Sequence, residues 1–297
     1  MGAGLAEAFP AAKAVFDEVD DALGQKLSTL MWEGPEADLT LTENAQPALM
    51  AVSLAAMRGL ETKGFTLPGN VAYVAGHSLG EYSALAASGA LSLGDTARLL
   101  KTRGQVMQAA VPVGEGAMAA LLGADLSQAQ ELAEAAAQGD CCQAANDNAP
   151  GQVVISGKKT AIERAVALAP NFGARRAVLL PVSAPFHCAL MQPAADAMAE
   201  ALSGVTISEP AVPVVANVLA EPITDPEAIR VRLVEQVTGM VRWRETMQFL
   251  AGNGVDVVYE VGAGRVLTGM ARRLEGVEAR SVGTPEVLES AATALNG

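Results

Sequence analysis

A serine flanked by glycines, in the segment Gly76-His77-Ser78-Leu79-Gly80, limits the possible folds of this chain more than any other feature. The segment follows the apolar run Val71–Ala75, which predicts a buried strand, and precedes a helix predicted over Glu81–Ser88. Gly-x-Ser-x-Gly between a strand and a helix is the context of a nucleophile elbow, in which both glycines are expected to let the backbone turn without a Cβ clash. The hydroxyl then lies near a helix N-terminus, where N–H groups can stabilise an oxyanion. An elbow is favoured over a purely structural turn.

The rest of the chain alternates helical periodicity with short apolar segments, which is typical of an α/β fold. Strands are predicted over Val212–Val215, Val255–Val261 and Ala279–Val282. These elements predict a large α/β-hydrolase-like subdomain formed by residues 1–113 and 184–297. Its further helices are predicted over Pro10–Ala22, Gln46–Leu60, Asp95–Ala110, Cys188–Leu202, Pro226–Val237, Trp243–Gly252, Val266–Leu274 and Pro285–Leu295.

Residues 114–183 follow a different pattern, which predicts a small subdomain inserted into the larger one. Ser127 with Gln130, and Thr160 with Glu163, predict capping boxes at the starts of two helices. Residues 146–151 predict a turn between the two middle strands. The order βαββαβ is ferredoxin-like. Its strands are predicted over Ala117–Leu122, Cys141–Ala145, Gln152–Ser156 and Arg176–Leu180.

Ser78 needs a base, and the chain has only two histidines, His77 and His187. Neighbouring side chains in a sharp turn usually point apart, which leaves His187 as the candidate base. A structural histidine is the alternative. No carboxylate is indicated as a third member, so a backbone carbonyl is a candidate to orient the imidazole. The position of His187 and the lack of a His-Gly-Gly-Gly loop argue against an ordinary esterase or lipase.

Arg103 is the next candidate, on a predicted helix that also carries Arg98 and Lys101. One interpretation is an arginine on a solvated helix face. The other is a bidentate clamp on a substrate carboxylate, for which the planar guanidinium is suited. The residues alone leave both interpretations open.

Composition and charge exclude several classes of function. Among 297 residues, 20 are Lys or Arg and 33 are Asp or Glu, which gives a formal net charge of −13. A chain this acidic, without an arginine-rich tract, is not expected to bind nucleic acid, and no apolar stretch is long enough to predict a membrane span. Three cysteines without a disulfide framework predict a cytoplasmic location. Two histidines and no Cys-x-x-Cys leave few ligands for zinc, so no metal and no cofactor are predicted.

Five segments, in register along nearly the whole chain, make this sequence similar to the malonyl-CoA:acyl carrier protein transacylases. The first is the active-site segment from Gly76 to Leu85. The others are residues 116–120, 146–157, 181–187 and 260–269, with the sequences GAMAA, NDNAPGQVVISG, PVSAPFH and EVGAGRVLTG.

The resemblance implies a ping-pong acyl transfer at a site between the two subdomains. Ser78 would accept the malonyl group from malonyl-CoA and pass it to the phosphopantetheine thiol of acyl carrier protein. His187 would deprotonate each incoming nucleophile and protonate each leaving thiolate. Arg103 matches the arginine that pairs with the malonyl carboxylate, so the resemblance favours the clamp.

The same resemblance implies three supporting roles. Gln236 matches the position whose main-chain carbonyl orients the histidine, and Leu79 supplies one oxyanion N–H. Phe186 resembles the malonyl-selecting version of its loop. Family members begin with a strand and a Gly-Gln-Gly-Ser/Ala-Gln segment, whose glutamine donates the second oxyanion N–H. This sequence starts near the end of that region, so we expect the natural start to lie upstream. The alternatives are an impaired carrier-protein-binding remnant and a serine thioesterase or esterase.

The resemblance implies that the partner, acyl carrier protein, is itself acidic. The net negative charges of the two proteins therefore oppose their association. A locally basic docking surface is therefore expected on a monomer that binds the carrier protein transiently. A stand-alone chain favours fatty-acid synthesis over service to a polyketide assembly line. The candidate basic pairs are Lys158-Lys159, Arg175-Arg176, Arg242 with Arg244, and Arg272-Arg273.

Overall fold

The computed structural model describes residues 1–69 and 71–296 and has a mixed α/β fold. Its α-helices are α1 (Ala3–Ala8), α2 (Pro10–Leu23), α3 (Leu27–Glu33), α4 (Glu36–Leu39), α5 (Thr42–Glu61), α6 (Leu79–Ala87), α7 (Leu93–Ala109), α8 (Leu126–Ala137), α9 (Lys159–Leu168), α10 (Gln192–Ser203), α11 (Pro226–Thr238), α12 (Trp243–Gly252), α13 (Val266–Ala271) and α14 (Pro285–Asn296). Its strands are β1 (Val74–Ala75), β2 (Gly116–Leu122), β3 (Cys142–Ala149), β4 (Gln152–Lys158), β5 (Arg176–Leu179), β6 (Val214–Val215), β7 (Pro222–Ile223), β8 (Val257–Val261) and β9 (Glu278–Val282).

Local sequence explains where the helices near the site begin and end. Pro10 opens α2 at a position where its missing N–H is not needed, and Gly24 ends the helix with a φ of 58°. Ser92 caps α7, because its hydroxyl oxygen accepts the backbone N–H of Asp95 at 3.0 Å. These residues fix both ends of α2 and the start of α7, and α2 and α7 pack against α5.

The strands form three sheets. In the first, with strand order β1-β6-β7, β1 and β6 run parallel and pair Val74 with Val214 and Ala75 with Val215. In the second, β8 and β9 form a parallel pair. The third is fully antiparallel in the order β3-β4-β2-β5. Its chain order, β2-α8-β3-β4-α9-β5, confirms the predicted succession of elements.

The predicted capping boxes are both wrong. Asp125 caps α8: its carboxylate accepts the N–H of Gln128 at 2.9 Å, and its own N–H donates to the Gln128 side chain at 3.0 Å. The box therefore begins two residues before Ser127, the predicted cap. In α9 the hydroxyl of Thr160 donates to Asp140 at 3.0 Å and caps nothing. The Ser/Thr-x-x-Glu/Gln pattern therefore did not identify the capping residue of either helix.

The turn predicted over residues 146–151 is also wrong, because β3 continues to Ala149 and only Pro150 and Gly151 turn. The residues that suggested a turn, Asn146 to Asn148, are buried in the strand. Asp147 and Asn148 are tolerated there because partners outside the sheet, Arg244 and His77, satisfy their side chains. Turn propensity is a local signal, and these partners override it.

Other boundaries differ less. The strand predicted over Val71–Ala75 is reduced to β1, and the helix predicted from Cys188 begins as a short 3-10 helix over Ala189–Met191 before α10. Helices α1, α3 and α4 and strand β7 were not predicted. None of the described helices combines the length and the apolar character needed to cross a bilayer.

The described residues form two large hydrophobic cores. Phe16, Met50, Leu85, Leu100 and Met198 belong to the first, which joins α2, α5, α6, α7 and α10. The second lies between the antiparallel sheet and helices α8 and α9. With aromatics at 4% of the chain, small and aliphatic side chains fill most of both cores, and each fully buried leucine or methionine contributes about 1.5–3 kcal/mol.

Candidate active site

Ser78 lies in a sharp turn between β1 and α6, with φ 53° and ψ −109°. A non-glycine residue with positive φ costs about 1–3 kcal/mol, so surrounding bonds must hold it there. Asn217 does so: its Oδ1 accepts the N–H of Ser78 at 2.7 Å, and its Nδ2 donates to the carbonyl of Gly76 at 2.7 Å. The turn therefore presents the serine at the N-terminus of α6, as the sequence predicts for an elbow.

The two glycines of the elbow are not equivalent. A Cβ on Gly76 would lie 1.9 Å from the carbonyl oxygen of Gly80, so only glycine fits at position 76. A Cβ on Gly80 would meet nothing within 4 Å. The expectation that both glycines avoid a clash is correct for Gly76 and wrong for Gly80.

His187 contacts the Ser78 hydroxyl with its Nε2, at 2.8 Å from Oγ. Its Nδ1 lies 2.9 Å from the main-chain carbonyl oxygen of Gln236. A carbonyl can only accept, so Nδ1 carries the proton and Nε2 accepts the hydroxyl proton of Ser78. Burial, and next the Arg103 charge, lower the pKa of His187 to about 3, which keeps the imidazole neutral, with the Nε2 lone pair available to accept a proton.

His77 points away from Ser78, as expected for neighbouring side chains in a sharp turn. Its Nε2 lies 2.8 Å from the Asn148 Oδ1 on β3, and its ring lies 5.6 Å from that of Trp243. Burial lowers the pKa of His77, so it donates to Asn148 as a neutral ring. It has no contact that would activate the serine.

Arg103 is only 2% exposed, which rules out the solvated helix face. Its Nη1 donates to Gln46 Oε1 at 2.6 Å, and its Nη2 donates to Ser78 Oγ at 3.0 Å and Gln236 Oε1 at 2.9 Å. All three acceptors are neutral. Burial lowers the pKa of Arg103, yet a guanidinium stays protonated in proteins, so a positive charge is held beside Ser78 Oγ.

Three polar residues of this cluster were not predicted: Gln46, Glu81 and Asn217. Glu81, in the first turn of α6, is 1% exposed, and its Oε2 accepts Gln236 Nε2 at 2.7 Å and the N–H of Asn217 at 3.2 Å. Burial raises the pKa of Glu81 to about 7, against the lowering effects of Gln236, Asn217 and Arg103. Glu81 opens the helix predicted over Glu81–Ser88, where an acidic residue is ordinary, so its burial had no clear local signal. No local signal marks Gln46 either.

The remaining candidates, Leu79 and Phe186, lie on either side of Ser78 and His187 in the sequence. Leu79 is the first residue of α6, and its N–H has no acceptor among the described residues, so it is open to a ligand. Phe186 is half-buried and packs against both the first core and Met118, Ala145 and Val154 on the antiparallel sheet. Within the described residues, no group of His, Cys, Asp and Glu could hold a metal ion.

Comparisons with known proteins identify similar acyl transferases. The acyl transferase domain matches residues 1–285. The malonyl CoA-acyl carrier protein transacylase of Salmonella typhimurium is 44% identical over 294 residues, covering 99% of this chain and 94% of that protein. The Bacillus subtilis protein of that name is 43% identical over 297 residues, covering 99% and 92%.

Solved structures are similar over the same length. The acyl-carrier-protein-S-malonyltransferase from Bartonella henselae is 57% identical with a TM-score of 0.97, covering 100% of this chain and 95% of the other. A malonyl-transacylase solved in complex with its type II PKS acyl-carrier protein is 43% identical with a TM-score of 0.95, covering 99% and 94%.

Proposed function

This chain belongs to the acyl transferase family, and we propose that it transfers the malonyl group of malonyl-CoA to the phosphopantetheine thiol of acyl carrier protein. The observation that carries the proposal is the position of Arg103, whose Nη2 lies 3.0 Å from the nucleophilic Oγ of Ser78. A malonyl ester on that oxygen has its carboxylate only a few bonds away. A buried guanidinium with neutral partners supplies the charge that this carboxylate needs.

In the first half-reaction, Ser78 Oγ attacks the thioester carbonyl while its proton moves to His187 Nε2. The Gln236 carbonyl, bound to Nδ1–H, stabilises the imidazolium that forms. The C–S bond then breaks, and the proton on Nε2 passes to the thiolate, which leaves as CoA. The product is a malonyl ester of Ser78.

In the second half-reaction, the phosphopantetheine thiol takes the place of CoA. His187 Nε2 removes the thiol proton, the sulfur attacks the ester carbonyl, and the C–O bond to Ser78 breaks. The same proton returns to Ser78 Oγ, so enzyme and base are restored. The proton transfers between Ser78 and His187 use a contact already formed in the free enzyme.

Leu79 and Phe186 complete the proposed site. We propose that the open N–H of Leu79 donates to the oxyanion in both half-reactions, a contribution worth on the order of 10²–10³ in rate for one donor. Phe186, directly before His187 and packed on the antiparallel sheet, is proposed to shape the acyl site for malonyl. We also propose that residues 114–183 form a ferredoxin-like subdomain inserted between residues 1–113 and 184–297, with the site between them.

Acyl carrier protein needs a basic surface that the enzyme's own carboxylates do not neutralise. Lys158 pairs with Asp140, Lys159 with Glu163, Arg242 with Glu245 and Arg244 with Asp147. Arg175-Arg176 and Arg272-Arg273 have no ion pair among the described residues, so we propose that one of these pairs docks the carrier protein. Charge reversal of the docking pair raises the KM for acyl carrier protein, with the other double variant as its control.

The three cysteines are free, which favours the proposed cytoplasmic location. We further propose a monomer whose association with the carrier protein is transient. Analytical ultracentrifugation of the enzyme, alone and with carrier protein, tests this: a stable dimer of the enzyme alone contradicts it.

The central experiment mixes the enzyme with malonyl-CoA, with and without acyl carrier protein, and follows intact masses. A malonyl adduct that disappears as malonyl-carrier protein forms supports the proposal, and Ser78→Ala must form no adduct. Free malonate as the main product would instead indicate a thioesterase. Binding of carrier protein without any adduct would indicate a non-catalytic protein.

A further inference from the structure

Glu81 has no part in the steps above, yet it contacts the residues that build the site. Its Oε2 accepts from the Gln236 side chain at 2.7 Å and from the Asn217 backbone at 3.2 Å. Asn217 holds the turn of Ser78, and the Gln236 carbonyl orients His187. A buried carboxylate in such a position requires a reason, because burying a charge is costly unless another charge compensates it.

The compensating charge is Arg103, reached through one amide group. Gln236 Nε2 donates to Glu81 and to the carbonyl of Ser78, while its Oε1 accepts from Arg103. These partners fix the orientation of the amide, since a guanidinium only donates and a carbonyl only accepts. Within the described chain no ion pair joins Glu81 to Arg103 directly, so the guanidinium remains available to a second anion.

Charge balance then changes when substrate binds, an inference that rests on the proposed function. In the free site, ionised Glu81 balances Arg103, and the cluster is neutral. A malonyl carboxylate adds a negative charge in the same buried volume, where an uncompensated charge is strongly unfavourable. We propose that Glu81 takes up a proton from solvent when the malonyl carboxylate binds Arg103, so that the cluster stays neutral and His187 remains a free base.

The other titratable or charged groups around Glu81 do not compete for this proton. Arg103 is already protonated, and Tyr82, next on the same helix, has its pKa raised by burial to about 12 and stays neutral. His187, on the other side of Arg103, has a pKa lowered to about 3. Burial lowers the pKa of His77 as well. Glu81, with a pKa of about 7 in the free enzyme, is the group that protonates most readily.

The direction of the pH effect follows. A carboxylate placed opposite Arg103 offsets the charge that stabilises ionised Glu81, so binding raises the pKa of Glu81 further. Well below pH 7 Glu81 is protonated before and after malonylation, and no proton is taken up. Above pH 7 it is ionised in the free enzyme and protonated in the malonyl-enzyme, so uptake rises with pH towards about one proton per malonyl group.

A pH-indicator dye in weakly buffered solution measures this uptake during malonylation at pH 6 and pH 8. The matched variant is Glu81→Gln, whose amide oxygen can still accept both hydrogen bonds. We expect wild type to take up about one more proton per malonyl group than Glu81→Gln at pH 8, and the two to agree at pH 6. The ionisation of released CoA is the same for both enzymes and cancels.

Two further arms keep the result decisive. Glu260→Gln removes another carboxylate that accepts two N–H bonds, from Leu267 and Thr268, and must keep the wild-type uptake. If Glu81→Gln does not fold, wild type acylated by malonyl-CoA is compared with wild type acylated by acetyl-CoA, which lacks the carboxylate, and only malonylation should take up the extra proton. A malonyl adduct that forms without extra uptake at pH 8 overturns this inference and leaves the proposed function intact, whereas no adduct at all contradicts the proposed function.

Discussion

Two polar clusters flank the Ser78 turn, and each contains a histidine and an arginine whose partners can be compared. The catalytic cluster holds His187 and Arg103. The second, which we call the β3 contact, lies where Asn146–Asn148 meet the segment Val241–Arg244, and it holds His77 and Arg244.

In the β3 contact the arginine is paired directly with a carboxylate. Arg244 pairs with Asp147 at 2.7 Å, charge against charge, although Asp147 is 1% exposed. Val241 exchanges backbone bonds with β3, donating to Ala145 and accepting from Asp147, both at 2.9 Å. His77 is held by the neutral amide of Asn148. Such a cluster joins β3 to the segment that begins α12.

In the catalytic cluster the same residue types meet neutral partners. Arg103 donates to two amide oxygens and a hydroxyl, and His187 directs a free lone pair at Ser78. The difference suggests how to separate a structural from a functional arginine: the structural one is paired directly with a carboxylate, and the functional one donates to neutral acceptors, so that its charge is still open to a substrate anion.

The largest expected effect separates the two histidines. His187→Ala should slow both half-reactions by about 10²–10⁴, because it removes the base from Ser78. His77→Ala should lose a buried hydrogen bond and packing, about 1–3 kcal/mol of unfolding free energy, with transfer per folded molecule largely kept. Single-turnover kinetics and thermal melts measure the two quantities. If folded His77→Ala lost the chemical step and His187→Ala kept it, the roles would be reversed.

The next effect separates the two arginines. Arg103→Ala should cost malonyl transfer roughly 2–5 kcal/mol in kcat/KM beyond its effect on acetyl transfer, since only malonyl has a carboxylate to lose its partner. Arg244→Ala should lower the melting temperature and affect both substrates equally. Parallel kcat/KM measurements with malonyl-CoA and acetyl-CoA check this. Equal losses for both substrates in Arg103→Ala would make Arg103 structural.

The smallest expected effect is the absence of a rate decrease at low pH. With its pKa lowered to about 3, His187 stays neutral across the range in which an ordinary histidine, of pKa 6.5, gains a proton. The rate of the first half-reaction at low malonyl-CoA should therefore not fall between pH 7 and pH 5. Stopped-flow release of CoA measures it. A tenfold loss per pH unit below 6.5 would show that His187 titrates normally and that its burial has little effect.

Much of the fold and of the candidate site could be predicted from the sequence, because the relevant signals are local. The elbow depends on neighbouring residues, Gly76 and Ser78, and on a strand and helix beside them. Several helices, α2 and α12 among them, were predicted within one residue, because apolar periodicity and a proline or glycine mark their ends. His187 followed by elimination, and the position of Arg103 came from resemblance to a family. The capping box predicted at Ser127 failed because Asp125 and Gln128 form one two residues earlier, and the turn at 146–151 failed because partners distant in sequence hold Asp147 and Asn148 in β3.

What the sequence by itself determined is the set of local choices: where strands and helices form, which serine sits in a strained turn, and which histidine is free to serve it. The tertiary structure alone decided what charge each side chain meets. Arg103 and Arg244 are the same residue type on similar helices, yet one faces amides and the other a carboxylate. Glu81 and Arg103 become a compensating pair only because Gln236, far along the chain, lies between them. Electrostatic energy depends on distances through space and on burial, and neither can be read from spacing along the chain.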